Sequence, residues 1–430
     1  MNQLIALFQD KRFYATLFGN VYEFYDFIVY AFLSSYIAQL FFPQTATLPA
    51  LLSTFGVFAS GYLTRPLGAL FFGYIGDKKG RKPALVLSIV IITLSTVMIG
   101  LLPTYDSVGM CAPLLLTCCR LLQGFAVSGE EAGAAVYLSE VFGPEKKGFV
   151  GAAILGSAYF GVLVGSLVVG ALLFFFTEIE IKAFAWRLPF LFSLILGIIA
   201  LKFRLSLVSS KESCTQVNPV CALWKHHRRD VTALTLMTAS LCITIYLATV
   251  FLPTFLTLVH GFSLQQSMLL TSLELLLVSI GVPIFGMLSD RFGCHRIFLA
   301  GCCGLVLLAK PIFMLLTAAH LFPVFIGIFA LGMVVFFVAG PLFALLIGSF
   351  QKDVRFTGVS FVFNLSMSVF GGTTPLVSLS LMQYFQDDTA PWMLMALSGM
   401  LGIVGFFSAS LGARADLKIF GKREQHHDAF

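Results

Sequence analysis

Eight charged side chains interrupt the long apolar stretches of this chain, and their types suit the binding of protons and anions. Carboxyl groups can carry a proton, whereas guanidinium and ammonium groups can hold an anion. A charge in the middle of a membrane-spanning helix costs about 2.5–3.5 kcal/mol on an insertion scale, so each one needs a function or a partner. These residues are Glu23, Asp26, Arg65, Arg120, Glu130, Glu131, Glu274 and Lys310.

Two acids and one base are predicted to meet near the start of the chain. Glu23 and Asp26 are three residues apart, on one face of the first predicted helix. Arg65 lies about ten residues from the cytoplasmic end of the second predicted helix, at a similar depth of roughly 15 Å. This composition favours a titratable network in which the two acids share a proton and Arg65 holds their geometry or contacts the substrate. A static ion pair that joins the two helices is the alternative.

The fourth predicted helix carries a second group of polar residues. Arg120 and Glu131 are eleven residues apart and lie nearly on one stripe of the helix, while Glu130 points about 80° away. The guanidinium of Arg120 suits bidentate binding of a substrate carboxylate, with Gln123 one turn further along. Glu130 and Glu131 lie toward the cytoplasmic end, where they are candidates for proton sites or for ion pairs with a loop arginine such as Arg81.

The second half of the chain offers fewer candidates. Lys310 precedes Pro311, which can kink a helix, and it is a candidate either for binding a second substrate carboxylate or for pairing with Glu274.

Tyr22 and Tyr25 flank the acids of the first helix and could surround a quaternary ammonium group. Ordinary packing is the alternative for both tyrosines, because aromatic residues make up 14% of the chain.

The sequence contains none of the common motifs of enzymes or metal sites. It has no G-x-x-x-x-G-K-[ST] loop, no C-x-x-C and no H-E-x-x-H. The nine cysteines form no spaced framework and are interpreted as free thiols. We therefore expect a protein that is not an enzyme, binds no metal or cofactor and uses a proton gradient as its driving force.

A glycine-rich, basic loop occurs twice, 213 positions apart. The first copy is 73–82, and the echo at 286–296 places Asp290 where the first copy has Asp77. Glycines permit a tight turn, and an aspartate can accept hydrogen bonds from the N-terminus of a helix. We predict a cytoplasmic latch in which Asp77 binds a helix of its own half and pairs with an arginine, which stabilises the outward-open state. The residues of this gating loop and its echo are Gly76, Asp77, Gly80, Arg81, Asp290 and Arg291.

Twelve apolar segments must position these residues. The chain is 58% hydrophobic and only 11% charged, with a mean hydropathy of +0.93. A soluble domain carries about 25% charged residues, so this composition indicates an integral membrane protein. A spanning helix needs roughly 20 apolar residues, and the predicted spans are 13–42, 49–75, 83–103, 108–140, 148–176, 184–203, 230–258, 265–288, 296–317, 321–349, 357–385 and 391–413.

The basic residues predict the orientation of these spans. Of the 27 Lys and Arg residues, 22 fall in segments on one side, only Lys182 and Arg187 fall on the other, and three lie within helices. The positive-inside rule then places both termini in the cytoplasm. The net charge of +6 reflects these loops rather than nucleic-acid binding. The predicted units are a six-helix bundle at 1–203, a cytoplasmic linker at 204–229, a second bundle at 230–414 and a tail at 415–430.

Four segments resemble the metabolite:proton symporter family of the major facilitator superfamily. The helix 1 segment resembles its G-N-x-x-E-[WF]-[YF]-D-F, and the others resemble its loop G-x-x-G-D-[RK]-x-G-R-[RK], its R-P-x-G and its R-x-x-Q-G-x-x-x-G-G-E. These segments are 19–27, 73–82, 65–68 and 120–130. Two departures stand out: Ser128 replaces the first glycine of the G-G-E pattern, and Glu131 adds a carboxylate where the family usually has an uncharged residue.

The resemblance implies an all-α polytopic fold with 12 transmembrane helices in two six-helix bundles. Helices 1, 4, 7 and 10 would line a central cavity. It also implies a bacterial inner-membrane protein, functional as a monomer, that takes up a small organic acid or zwitterion, such as proline, betaine, α-ketoglutarate or citrate, together with protons. The alternative is an efflux antiporter, but such antiporters usually carry G-P-x-x-G-G in helix 5, and 156–165 contains no proline.

Overall fold

Helices account for all the regular structure that the computed structural model describes, which covers residues 9–42, 56–57, 60–207 and 218–427. The first half begins with α1 and α2, which are separated by one residue and bent by 61°. In chain order, its α-helices are α1 (Lys11–Phe32), α2 (Ser34–Phe41), α3 (Arg65–Lys79), α4 (Arg81–Leu101), α5 (Tyr105–Val108), α6 (Cys111–Val127), α7 (Glu131–Phe142), α8 (Lys147–Phe175), α9 (Glu178–Ala183) and α10 (Leu188–Leu205).

The second half follows a short helix, α11 (Pro219–His226), and contains two helices with a π-helical turn. One π turn, Leu247–Phe251, joins α12 to α13, and the other, Met367–Gly371, lies two residues before α18. The α-helices of this half are α12 (Arg228–Tyr246), α13 (Leu252–His260), α14 (Leu264–Phe292), α15 (Cys294–Leu316), α16 (Leu321–Ser349), α17 (Arg355–Ser366), α18 (Thr374–Phe385) and α19 (Trp392–His427).

Most of the predicted spans correspond to helices of the required length. Ten helical segments of the described residues are long and apolar enough to cross a membrane, and the bent pair α1 and α2 makes an eleventh if it forms one span. The predicted second span, 49–75, lies partly outside the described residues, and α3 forms its C-terminal part. The prediction of an all-α polytopic membrane protein is therefore confirmed.

The two halves pack against each other through small residues. Helix α8 of the first half lies along α14 and α16 of the second half, and α3 and α7 lie against α17. A Cβ atom added at Gly151 would lie 2.5 Å from the Cβ of Phe343, and one at Gly156 would lie 2.7 Å from the carbonyl oxygen of Ser279. Such close approach of helices is typical of membrane proteins, in which small residues let backbones meet.

The predicted fourth span, 108–140, corresponds to one segment long enough to cross a membrane, Cys111–Phe142, but a local break at 128–130 divides its helix into α6 and α7. Between α6 and α7 the backbone forms tighter turns, in which Gly129 N–H donates to Ala126 O over 3.2 Å and Glu130 N–H donates to Val127 O over 3.2 Å. Ser128 donates its hydroxyl to Phe125 O over 2.7 Å, a bond that competes with the helical backbone pattern. The break means that the positions of Arg120 and Glu131 no longer follow a single helical stripe.

Candidate functional site

Two buried arginines share one aromatic ring in the first half. Arg65 of α3 and Arg120 of α6 are 2% and 0% exposed. The guanidinium carbon of each lies 4.5 Å from the centre of the Phe27 ring of α1. Tyr62 lies 4.7 Å from the Arg65 guanidinium, and Tyr30 lies 4.4 Å from that of Arg120. The aromatic faces therefore hold both cations by cation–π contacts.

Arg65 keeps its hydrogen-bonding edge available. Within the described residues it forms no ion pair, and its Nε has no hydrogen-bond partner. Stacking uses the face of a guanidinium, whereas its N–H donors lie in the plane and match the two oxygens of a carboxylate. Arg65 is thus a buried cation that is oriented but not neutralised by a direct hydrogen bond to an acid.

Gln123 orients Arg120 rather than facing a ligand. The Oε1 of Gln123 accepts a hydrogen bond from Nη1 of Arg120 over 2.7 Å, and its Nε2 donates to Thr96 Oγ1 of α4 over 2.5 Å. Gln123 is 1% exposed. Both polar atoms of its amide are engaged, so Gln123 positions Arg120 in this structure, and its role in substrate binding stays a prediction.

Glu23 lies among charges but forms no hydrogen bond. It is 0% exposed, and neither carboxyl oxygen has a partner among the described residues. The charged groups that act on it are Glu131, Arg65, Arg204 and Asp26. Glu131 at the start of α7 is 4% exposed and is also acted on by Arg65. The structure therefore groups Glu23 with Glu131 and Arg65, which suits an exchange of protons and anions.

Asp26 has a separate environment, and no hydrogen bond joins it to Glu23 within the described residues, so the sharing of a proton by the two acids stays a prediction. Ser193 of α10 donates its hydroxyl to Oδ1 of the Asp26 carboxylate, whereas Oδ2 has no hydrogen-bond partner among the described residues. Residues three apart on an α-helix point about 60° apart. This divergence turns Asp26 toward α4 and α10, whereas Glu23 meets the charges of α3 and α7.

Arg204 is a site residue that the sequence analysis missed. It was counted among the positive charges of the linker at 204–229, yet it lies on α10 and is 0% exposed. It forms an ion pair with Glu130 and donates to Thr16 O over 3.3 Å. The buried positions Ser193, Gly197 and Ala200 continue at helical spacing to Arg204, and this pattern in the sequence could have placed it on the inner face.

The partner of Glu130 is accordingly different from the expected one. Glu130 pairs with Arg204 and accepts a further hydrogen bond from Ser88 over 2.8 Å. Arg81 instead pairs with Asp77 at 2.5 Å and with Glu140 at 2.9 Å. The sequence alternative in which Glu130 pairs with Arg81 is therefore wrong, because Glu130 lies at the helix break beside Arg204, whereas Arg81 lies at the start of α4 beside Asp77 and Glu140.

Tyr22 and Tyr25 pack between helices of the first half. Tyr22 shares a hydrogen bond with Thr93 Oγ1 over 2.7 Å, and Tyr25 donates to Pro189 O over 2.9 Å. Both side chains are at most 1% exposed. Their hydroxyls point to α4 and α10, which favours the packing alternative, and a contribution to substrate binding stays a prediction.

Lys310 is not part of the cluster. It is exposed on α15, and its Nζ lies 5.9 Å from the centre of the Trp392 ring of α19. Glu274 of α14 is 1% exposed, and neither of its carboxyl oxygens has a hydrogen-bond partner among the described residues. Lys310 therefore neither pairs with Glu274 nor joins the arginines, which corrects both sequence interpretations. Its face of α15 is turned outward.

The first basic loop binds the N-terminus of a helix from the other half. Asp77 accepts hydrogen bonds from the backbone N–H of Phe356 over 3.2 Å and from that of Thr357 over 2.9 Å. The Thr357 hydroxyl adds a third bond of 2.7 Å. These donors open α17, so the expectation of a partner in the same half is wrong. The free N–H groups of a helix N-terminus and its positive dipole favour this carboxylate.

The second loop repeats the contact in the opposite direction. Asp290 accepts hydrogen bonds from the N–H groups of Gly148 over 2.7 Å and Phe149 over 2.8 Å, at the start of α8 in the first half. Gly80 and Gly293 both have φ of +97°, which favours glycine at the two turns. Each half thus supplies an aspartate that binds a helix of the other.

Gly76 and Arg291, two further residues of the predicted gating loop and its echo, have different surroundings. A Cβ atom at Gly76 would collide with the ring of Phe356, so glycine is needed for the loop to approach α17. Arg291 lies away from this contact, with its guanidinium carbon 5.5 Å from the Phe292 ring.

Comparison with known proteins adds family and fold. The sequence model of the Major Facilitator Superfamily matches residues 16–375. The "Putative proline/betaine transporter" of Staphylococcus aureus strain COL is 34% identical over 418 residues, which are 94% of this chain and 88% of that protein. The "Citrate-proton symporter" of Klebsiella pneumoniae is 32% identical, with coverage of 90% and 88%, and the "Proline/betaine transporter" of Escherichia coli K12 is 30% identical, with coverage of 92% and 82%.

Solved structures show the same architecture. The proton:xylose symporter XylE bound to 6-bromo-6-deoxy-D-glucose superimposes with a TM-score of 0.76 at 15% identity, covering 92% of this chain and 94% of that one. A partially occluded inward-open form of XylE gives a TM-score of 0.66 at 15% identity, with coverage of 92% and 96%. At this identity the likeness concerns the fold alone.

Proposed function

Since this chain belongs to the major facilitator superfamily and has its fold, we propose that it is a proton-coupled symporter that takes up a small organic acid or zwitterion by alternating access. The observation that carries the proposal is the group formed by Arg65, Glu23 and Glu131. It contains a buried guanidinium with no ion pair in the described residues beside two buried carboxyl groups.

The substrate carboxylate would bind Arg65 and Arg120. An unneutralised charge in a protein interior costs several kcal/mol, so binding of an anion at Arg65 offsets this penalty. Proline, betaine and citrate, after which the related transporters are named, all contain a carboxylate. A carboxylate is thus the chemical group that this site is expected to recognise.

Protons would bind the acids beside the arginines. Glu23 and Glu131 are the first candidates, followed by Asp26 and Glu130. When an acid near Arg65 is protonated and neutral, the charge of Arg65 can attract the substrate carboxylate. When that acid loses its proton, its own carboxylate competes with the substrate for the same cation. Substrate and proton occupancy are coupled by this competition, and no cofactor is required because the proton gradient supplies the driving force.

The orientation follows from the loop charges. We place the protein in the bacterial inner membrane as a monomer with both termini in the cytoplasm, and with the two aspartate loops on the cytoplasmic side. The lipid bilayer, the substrate and protons are its partners, and nucleic acid is not one of them. Lys182 would then face the outside.

Uptake into proteoliposomes tests the proposal. Purified protein is reconstituted, and uptake of labelled proline, betaine, citrate and α-ketoglutarate is measured with and without an inward proton gradient. We expect gradient-driven accumulation of at least one of these carboxylates. Arg65→Lys is expected to weaken its binding because the planar fork is lost. Glu23→Gln is expected to keep exchange between equal pools but to lose uphill accumulation.

Lys310→Gln provides the matched control, since it removes a cation that lies outside the site. It is expected to leave uptake unchanged. Proton-driven export of the same compounds would support the antiporter alternative instead. Accumulation of no carboxylate, or full coupling in both Glu23→Gln and Glu131→Gln, would overturn the proposed function or its proton site, respectively.

A further inference from the structure

We propose that Arg204 and Glu130 form a positioning pair that sets the pH at which Glu23 releases its proton toward the cytoplasm. Arg204 would be the cation that receives the ionised Glu23, and Glu130 would moderate its charge. This inference rests on the proposed role of Glu23 as a proton carrier. It assigns a function to an arginine that lies outside the aromatic cluster around Arg65 and Arg120.

The guanidinium of Arg204 is held at a junction of three elements. Glu130, at the break between α6 and α7, forms the ion pair with it. The carbonyl oxygen of Thr16 on α1 accepts a hydrogen bond from its Nη2 over 3.3 Å. Ser88 of α4 donates to the other carboxyl oxygen of Glu130 over 2.8 Å. The side chain of Arg204 is therefore positioned by contacts to α1 and to the helix break, although it belongs to α10.

Gly19 makes room for this guanidinium one turn from Glu23. A Cβ atom on Gly19 would lie 2.6 Å from Nη2 and 2.8 Å from Nε of Arg204. Gly19 and Glu23 are four residues apart on α1, so they share one face and are separated by about 6 Å along the helix axis. The missing side chain at position 19 thus brings the cation within reach of the Glu23 carboxyl group.

Both groups have unused hydrogen-bonding capacity. Nε and Nη1 of Arg204 have no partner among the described residues, and neither oxygen of Glu23 has one. A buried guanidinium presents five donors in a fixed fork, and only Nη2 is occupied here. A rotamer change of Glu23 toward Gly19 would join it to the free edge of Arg204 while the contact with Glu130 remains.

Other titratable and charged groups also lie near Glu23, and Arg204 differs from them in its position along the membrane axis. Glu131 comes from α7, Arg65 from α3, and Asp26 from α1 itself. Tyr159 of α8 is a further titratable group near Glu131. Two of the groups near Glu23 are cations, Arg65 and Arg204, and of these only Arg204 lies at the end of its helix that we place on the cytoplasmic side. The carbonyl oxygen of the next residue, Leu205, accepts a hydrogen bond of 2.6 Å from Lys82. Ionisation of Glu23 beside Arg204 is therefore favoured on the side where the proton must leave.

The sign of the effect distinguishes this role from a merely structural one. A nearby cation stabilises the ionised carboxylate, and an acid that neutralises this cation weakens the effect. Arg204→Gln should therefore raise the pH at which Glu23 loses its proton, whereas Glu130→Gln should lower it. A pair that only maintained the fold would give losses of the same kind in both variants, without opposite shifts.

Infrared spectroscopy of the purified protein reports on this proton without any substrate. The carbonyl band of protonated Glu23 is assigned by its disappearance in Glu23→Gln, and its intensity is followed against pH. We expect the midpoint to move up by about one pH unit in Arg204→Gln and down by a similar amount in Glu130→Gln. Arg204→Lys should stay near the wild-type midpoint, because it keeps the charge.

Lys202→Gln is the matched control, as it removes an exposed cation from the same helix two residues away. It should leave the midpoint unchanged. If Arg204→Gln fails to insert, Gly19→Ala displaces the guanidinium and should move the midpoint in the same upward direction. Shifts of equal sign in the Arg204 and Glu130 variants, absence of any shift, or absence of a titrating Glu23 band would overturn the inference.

The same variants separate this inference from the proposed function. If the midpoints shift as expected but Glu23→Gln still accumulates substrate uphill, Arg204 tunes Glu23 and the transported proton uses another acid. If uptake is lost in Glu23→Gln but the midpoints do not move, the symport proposal stands and the role of Arg204 is wrong.

Discussion

Phe27 contacts both buried arginines of the candidate site. It contacts the guanidinium groups of Arg65 and Arg120 at the same distance of 4.5 Å. A desolvated cation–π contact contributes about 2 kcal/mol, and 1.4 kcal/mol corresponds to a tenfold change in affinity. Phe27→Leu is therefore expected to weaken substrate binding roughly 30-fold, measured by equilibrium binding to the purified protein. Phe27→Tyr keeps an aromatic face and should bind nearly as the wild type; equal affinity in Phe27→Leu would contradict the role of the ring.

Asp26 offers a second test at the residue scale. Its carboxylate receives a hydrogen bond from the hydroxyl of Ser193. Asp26→Asn preserves the shape but cannot carry a proton, so it should retain exchange between equal pools and lose accumulation driven by a pH gradient. Ser193→Ala removes one donor and keeps the acid, and it should retain both activities. Uphill accumulation in Asp26→Asn with the wild-type pH profile would assign coupling to Glu23 and Glu131 without Asp26.

Sequence reasoning located the buried charges better than it located their partners. Arg65 and Glu23 could be found because a charge inside an apolar run is visible in the sequence. The direction of each side chain depends on how a helix is rotated against its neighbours, which no local pattern specifies. For that reason the sequence did not predict that Lys310 faces outward or that the hydroxyl of Tyr22 contacts α4. Arg204 was missed because α10 extends two residues beyond the predicted span.

The two aspartate loops act at the scale of helices, and each can be tested separately. Asp77→Asn removes the charge that faces the N-terminus of α17, and Asp290→Asn does the same at α8. A latch of about 1–3 kcal/mol would bias the equilibrium between the two open states. Both variants should slow net transport in proteoliposomes while affinity in the inward-facing state changes little. The effect should be larger for Asp77, which accepts three bonds from α17 and pairs with Arg81.

Asp353→Asn is the control for the loops, since Asp353 is an exposed acid just before α17. It should leave turnover unchanged. Wild-type turnover in Asp77→Asn would remove the latch interpretation. The internal repeat in the sequence showed that the two loops are equivalent, but it could not show that each binds the other half, because that depends on how the halves assemble.

The break in the fourth predicted helix also lay beyond sequence reasoning. Ser128 and Gly129 have low helix propensity, yet the surrounding apolar residues favoured an uninterrupted helix. The carbonyl of Ser128 is released by the break and accepts a hydrogen bond of 2.9 Å from Asn364 of α17. The local interruption is therefore stabilised by a residue 236 positions away, which is tertiary information.

For the whole molecule, the contacts indicate a state that is closed on the side of the two aspartate loops, which is the side that we propose faces the cytoplasm. Both aspartate loops are engaged across the two halves. Tyr246 of the second half donates to the Tyr62 hydroxyl over 2.6 Å, next to Arg65. Opening on this side must break the contacts of both loops, because both join the two halves on the same face.

A double variant of the two loops therefore provides the test at this scale. Asp77→Asn with Asp290→Asn removes both cross-half carboxylates, so the population should shift toward the inward-open state by more than either single change. Spin labels at positions 79 and 296, which are exposed on the cytoplasmic sides of the two halves, report the separation in a cysteine-free background. Electron–electron resonance should show a longer distance gaining population in the double variant, with each single variant in between. The free energies of distant, independent contacts add. If the loops open independently, the change in the free energy of opening in the double variant should therefore equal the sum of the changes in the two single variants. A larger shift would show that the two loops open together, whereas an unchanged distance distribution would mean that packing of α8 against α14, rather than the aspartates, keeps the cytoplasmic side closed.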